Sequence, residues 1–253
     1  MMPLALIGWL GLSLASARES NGKDAPVSPD LSNPTVRRQV QLDVLSGLVQ
    51  AGMYDDALRV AGDLRGQGVV DERLDTLQAR AMTAKGLRTE SITLLQGTVK
   101  KHPRNVDAWS QLGLLYADVK DLPRSIDALE HAKRLSPNDA AVLNNLGYVT
   151  MATGRLDRAI ELFHQALVLN PSMTRARNNL GFAYARDERD MEALDAFRGA
   201  GSESDARYNL GVACEMRHDL AGALTQYHAA LEAQPSYAKA SQALARLSHQ
   251  GSP

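Results

Sequence analysis

Leu112–Gly113, Leu146–Gly147 and Leu180–Gly181 follow one another at a step of 34 residues. The same step separates Ala159 from Ala193, Phe163 from Phe197, and Pro103, Pro137 and Pro171 from one another. A fixed period of this length limits the fold more tightly than any composition does. Each repeat is one supersecondary unit that buries too little surface alone, and stacking neighbours builds a continuous core. With Val106 as position 1, Trp109, Leu112, Gly113, Tyr116, Leu129, Ala132 and Pro137 fall at positions 4, 7, 8, 11, 24, 27 and 32.

Extending this frame predicts units over 38–71, 72–105, 106–139 and 140–173, a shortened unit over 174–203, and a sixth over 204–237. Position 20, where two helices of a unit cross closely, tests the frame. It holds Ala57, Ser91, Ser125, Ala159, Ala193 and Ala223, all small. Gly52, Gly86 and Gly154 share position 15, the expected turn between the helices. Leu210–Gly211 comes only 30 residues after Leu180–Gly181, so four residues are missing within "FRGAGSESDARY". Either the second helix of unit five ends early or the pair is reoriented. Residues 238–249, whose Ala240, Leu244 and Leu247 continue from Tyr237 at helical spacing, suit a capping helix.

This pattern resembles the tetratricopeptide repeat, a helix–turn–helix unit. The resemblance implies an all-α, right-handed superhelical solenoid of about six units plus a C-terminal capping helix. In such a solenoid the first helix of each unit (helix A) lines a concave groove, and the second (helix B) packs behind it. Gly in a helix interior costs about 1 kcal/mol relative to Ala. The recurrence of Gly113, Gly147, Gly181 and Gly211 at position 8 therefore points to a close approach of helix B.

The N-terminus, "MMPLALIGWLGLSLASA", is apolar from Pro3 to Ala17 and ends in a small-x-small pattern. Residues 1–17 read as a secretory signal, although no Lys or Arg precedes the apolar run; the alternative is an uncleaved anchor. Residues 18–37, rich in Ser, Asn, Asp and Pro, read as a flexible linker. Lys and Arg total 28 against 29 Asp and Glu, a balance that does not draw a chain to nucleic acid. The single cysteine, Cys214, precludes an internal disulfide and reads as a buried apolar residue.

No catalytic signature stands out. None of the six histidines forms an H-E-x-x-H pair, and there is no phosphate-cradling glycine loop, so no metal and no cofactor are expected. Neither is a small-molecule substrate. Trp109 and the "RDERD" run at Arg186–Asp190 read as core and as solvated turn.

The remaining feature is the helix-A face. Position 6 carries Gln111, Asn145, Asn179 and Asn209; position 9 carries Tyr148 and Phe182, among others. A carboxamide both donates and accepts, so a row of them can pair with the backbone of an extended peptide. Tetratricopeptide-repeat proteins that bind peptides use a similar asparagine ladder. Packing does not require the asparagines, which makes them candidates for ligand contact. Arg175 at position 2 and Arg186 at position 13 complete the candidate set. The lysines of the variant that grips a carboxy-terminal tail are missing.

"ARNNLGFAYA", "FRGAGSESDARYNLGVA" and "PSYAKASQALARL" also resemble the repeat protein of tight-adherence pilus systems. The expectation is a non-enzymatic scaffold for a protein or extended peptide. It would act as an accessory factor for pilus or secretion-complex assembly, exported to the periplasm or outer membrane. The alternatives are a docking subunit for an enzyme acting in trans, or a cytoplasmic co-chaperone if residues 1–17 are not a signal.

Overall fold

A computed structural model of the chain describes residues 30–250, which form thirteen helices and no strand. The signal reading of residues 1–17 lies outside the described residues. Two compact units divide between His102 and Pro103. In the first, α1 (Pro34–Gln50), α2 (Tyr54–Gly66), α3 (Glu72–Ala84) and α4 (Arg88–Lys101) make two antiparallel pairs. In the second, the pairs are α5 (Val106–Asp118) with α6 (Leu122–Leu135), and α7 (Ala140–Ala152) with α8 (Leu156–Leu169). There follow α9 (Thr174–Arg186) with α10 (Asp190–Arg198), α11 (Glu203–Met216) with α12 (Leu220–Ala233), and α13 (Ala238–Gln250).

One boundary differs from the sequence expectation. Helix α1 starts at Pro34, inside the stretch read as linker. Asn33 accepts a hydrogen bond from the Thr35 amide at 2.9 Å, and Pro34 supplies a preset helical φ, so this polar stretch caps a helix. The other A helices use the same device with Asp71, Asn105, Asp139 and Ser202; α9, preceded by Met173, has no side-chain cap.

Within each pair, position 8 of helix A meets position 24 of helix B. A methyl added to Gly113 would lie 2.6 Å from Leu129 Cγ, and one on Gly147 2.7 Å from Phe163 Cε1. On Gly181 and Gly211 it would lie 2.5 Å from the rings of Phe197 and Tyr227. The earlier pairs solve the same packing with other residues: Ala79 stands with Leu95, and Leu45 with Ala61, all fully buried. The small partner sits on either helix while the pair keeps its approach, as close-packed interiors require. Position 20 is fully buried in all six pairs. Where it is serine the hydroxyl has an acceptor: Ser125 donates to the Gly113 carbonyl at 2.6 Å and Ser91 to that of Ala79 at 3.0 Å.

Position 15 is left-handed in every pair. Gly52, Gly86 and Gly154 have φ of 74°, 80° and 81°; Lys120, Glu188 and His218 adopt 65°, 60° and 65°. The amide after it reaches back to close the helix, as from Asp121 to the Tyr116 carbonyl at 2.8 Å. The missing four residues shorten helix B of unit five: α10 is nine residues long against fourteen in α8 and α12.

Gly147→Ala is expected to destabilise the chain by about 2 kcal/mol, because overpacking outweighs the better helix propensity of alanine. Adding Phe163→Leu recreates the Ala79–Leu95 arrangement and should recover more than half of the loss in urea unfolding. Lys120→Gly, Glu188→Gly and His218→Gly should each stabilise by about 1 kcal/mol through relief of left-handed strain. Gly154→Ala should cost a similar amount, read by the same unfolding curves.

Candidate functional site

Within residues 103–250, the A helices α5, α7, α9 and α11 pack in succession, each against the next. This neighbourhood brings position 6 of one unit beside position 5 of the unit before it. Asn145 Nδ2 donates to Ser110 Oγ at 3.1 Å, Asn179 Nδ2 to Asn144 Oδ1 at 2.9 Å, and Asn209 Nδ2 to Asn178 Oδ1 at 3.3 Å. Asn144, 3% exposed, also donates to Asn145 Oδ1 at 3.3 Å. Gln111 bonds within its own helix, to Asp107 Oδ2 at 3.0 Å.

The asparagines thus have a structural task that the sequence reading did not assign to them. Neighbouring A helices approach closely enough to bury Ser110 and Asn144, and buried polar groups must find partners. Each carboxamide carries two N–H groups and one oxygen. One N–H of Asn145, Asn179 and Asn209 is committed sideways, and these side chains are half-buried.

The other candidates separate by exposure. Tyr148 is 48% exposed on α7. Phe182 is half-buried and set edge-on against Phe197, 5.0 Å between ring centres, so part of its surface belongs to the core. Arg175 is exposed near the start of α9 and makes no ion pair among the described residues. Arg186 donates to the Met151 carbonyl at 2.8 Å, near the end of α7, where that oxygen also accepts from the Gly154 amide. Its remaining N–H groups are uncommitted and the residue is exposed. Arg175, Asn179, Phe182 and Arg186 stand at i, i+4, i+7 and i+11, one stripe along α9 about 16 Å long at 1.5 Å per residue. In units four and five, positions 2, 5, 6, 9, 12 and 13 hold two arginines and no carboxylate.

Unit six differs. Asp205, at position 2, accepts from Ser202 Oγ and from the Tyr237 hydroxyl, each at 2.6 Å, and these bonds hold its carboxyl below the usual range. Burial pushes the Tyr237 hydroxyl up, and Asp205 adds to the shift. Glu215 accepts from Tyr227 and, at 2.6 and 2.8 Å, from Arg246. Arg217 grips Asp190 with two bonds at 2.7 and 2.9 Å and also donates to the Ala185 carbonyl. Sequence reasoning placed Asp190 in a solvated turn and passed over Arg217. The repeat of the Arg186–Met151 arrangement one unit later, shifted by one position, was the available signal. Cys214 is 2% exposed and burial pushes its thiol up. No group of three or more His, Cys, Asp or Glu gathers as a metal site among the described residues.

Asn144→Ala removes the acceptor of Asn179 and the donor to Asn145, and is expected to cost about 2 kcal/mol. Asn209→Ala, which leaves only the half-buried Asn178 amide, should cost less than half of that in the same urea titration.

No curated protein matches the chain. Among solved structures, it resembles two crystal structures of MamA. One is 24% identical over 64% of this chain and 96% of that one, with a TM-score of 0.52. The other is 23% identical over 66% and 94%, at 0.53. It also resembles YrrB, described as a TPR protein with an unusual peptide-binding site, at 21% identity over 68% and 91%, TM-score 0.51. These likenesses show the fold. A family model described as tetratricopeptide repeat matches residues 76–140, 144–204 and 192–238. That is more than half of the sequence: the chain belongs to the tetratricopeptide-repeat family.

Proposed function

We propose that the chain is a non-enzymatic scaffold that holds a protein or extended peptide on the helix-A face of residues 106–237. The observation that carries this reading is Tyr148. It is a large ring, 48% exposed, on a face whose neighbouring helices are hydrogen-bonded to one another. A rigid aromatic on a pre-ordered surface is an efficient anchor, because little entropy is lost on binding. Arg175 and Arg186, with no carboxylate at positions 2, 5, 6, 9, 12 and 13 of units four and five, favour a partner segment bearing acidic groups. YrrB, on the same fold, has a peptide-binding site.

The scaffold is further proposed to be exported and to serve pilus or secretion-complex assembly. Support comes from the apolar run Pro3–Ala17 and from the resemblance of the later units to the tight-adherence pilus repeat protein. Mass spectrometry of the mature N-terminus tests export: a chain that still carries residues 1–17 ends the cleaved-signal reading.

The binding reading is tested by capture of partners from an envelope extract on the tagged chain. Tyr148→Ala with Arg175→Glu should weaken capture by about thirtyfold, the effect of removing one hot spot. The thermal midpoint should stay unchanged, since both side chains are exposed. Undiminished capture by the double variant would end the proposal.

A further inference from the structure

The apolar residues of the helix-A face form a row across the helices, one per repeat. Leu114 on α5, Tyr148 on α7, Phe182 on α9 and Val212 on α11 all stand at position 9. Tyr148 is exposed and the other three are half-buried. One turn before this row, about 4.5 Å along each helix, stand the carboxamides of position 6. Bonds of 3.1, 2.9 and 3.3 Å join Asn145, Asn179 and Asn209 to the preceding A helix, so these helices are close-packed neighbours. Such neighbours lie about 8–10 Å apart, axis to axis, and the row repeats at that step.

That step discriminates between the backbones that can lie along the row. A β-strand presents a side chain to one face about every 6.7 Å and falls out of step. An α-helix presents residues seven apart at about 10.5 Å, yet its carbonyls are bonded within the helix and offer nothing to the carboxamides. A polyproline II segment has three residues per turn, advances about 9.3 Å per turn and has no internal hydrogen bonds. Every third side chain then falls on the row, and its carbonyls are acceptors for the amides beside it. One N–H of Asn145, Asn179 and Asn209 is held by the neighbouring helix, which fixes the plane of each amide and the direction of the second N–H.

Charge adds a second specification. Helix α7 contains no charged residue, and α9 contains arginines and no Asp or Glu. Arg186 stands one turn beyond Phe182 and Arg175 two turns before it. On α11 Asp205 and Glu215 are bonded to Tyr237 and Arg246. The positive charge of this face is therefore centred on α9.

We propose that the helix-A face binds a proline-rich, acidic segment of a partner protein in the polyproline II conformation. It carries an apolar residue at every third position and an acidic residue beside the one that lies over α9. This inference rests on the reading of that face as a peptide site and specifies the backbone, period and charge of the segment. The low conformational entropy of a pre-formed polyproline II chain suits docking on an exposed ring such as Tyr148.

The probe is a labelled decapeptide with leucine as its first, fourth, seventh and tenth residue, glutamate as its fifth and eighth, and proline elsewhere. It is titrated into the full chain by fluorescence anisotropy, and half-saturation is expected near 100 μM. A peptide of the same composition with leucine at alternate residues should bind about fivefold more weakly. So should one with every proline replaced by alanine, which favours helix. Lysine in place of both glutamates should weaken binding about tenfold. Arg175→Glu in the chain should weaken the acidic peptide and strengthen the lysine one, a reversal that loss of folding does not produce. The inference is overturned if the alternating, alanine or lysine peptide binds as tightly as the probe; the face remains a peptide site in that case provided Tyr148→Ala weakens binding. Absence of saturable binding by every peptide at about 1 mM overturns the inference too, and capture from the envelope extract then decides separately whether the face holds a partner.

Discussion

The contact between position 8 of helix A and position 24 of helix B governs this molecule. Glycines at 113, 147, 181 and 211 receive Leu129, Phe163, Phe197 and Tyr227 at distances that leave no room for a methyl group. Each glycine forgoes about 1 kcal/mol of helix propensity, which the close approach offsets through buried ring surface. The A helices α5, α7, α9 and α11 also pack each against the next. The bonds from Asn145, Asn179 and Asn209 cross those contacts.

The helix-A face is consequently pre-ordered. Its carboxamides hold one another and its helix ends are tied by arginines, as Arg186 ties Met151 and Arg217 ties Ala185. Tyr148 and Arg175 remain exposed on it. A surface built this way loses little conformational entropy on association. A groove between α12 and α13 is a different kind of surface. Leu220, Leu224, Leu244 and Leu247 line it, with no Asp, Glu, Lys or Arg.

Much of this was legible in the residues. The 34-residue step located the helix pairs of the later units, and the small residues at position 20 extended the frame to the weakly marked early ones. The glycines at position 15 marked three turns. The other three turns were hidden, because Lys120, Glu188 and His218 accept a left-handed backbone that their identities disfavour. The start of α1 was hidden too, since Asn33–Pro34 reads equally as linker and as cap. Among the candidate site residues, spacing alone put Arg175, Asn179, Phe182 and Arg186 on one stripe. It did not reveal that Phe182 leans on Phe197 or that Asn179 is bonded to Asn144.

The sequence by itself determined the repeat, the helical pairing and the places where two helices must touch, because periodicity and residue size are local properties. Only the tertiary structure decided what the asparagines do. A carboxamide at position 6 is the same group whether it faces a ligand or a neighbour. Its partner is set by the separation of two helices a full repeat apart in the chain. The same holds for Leu220 and Leu224: their apolar character was plain, but their exposure follows from which helix packs beside them, a fact of assembly rather than of composition.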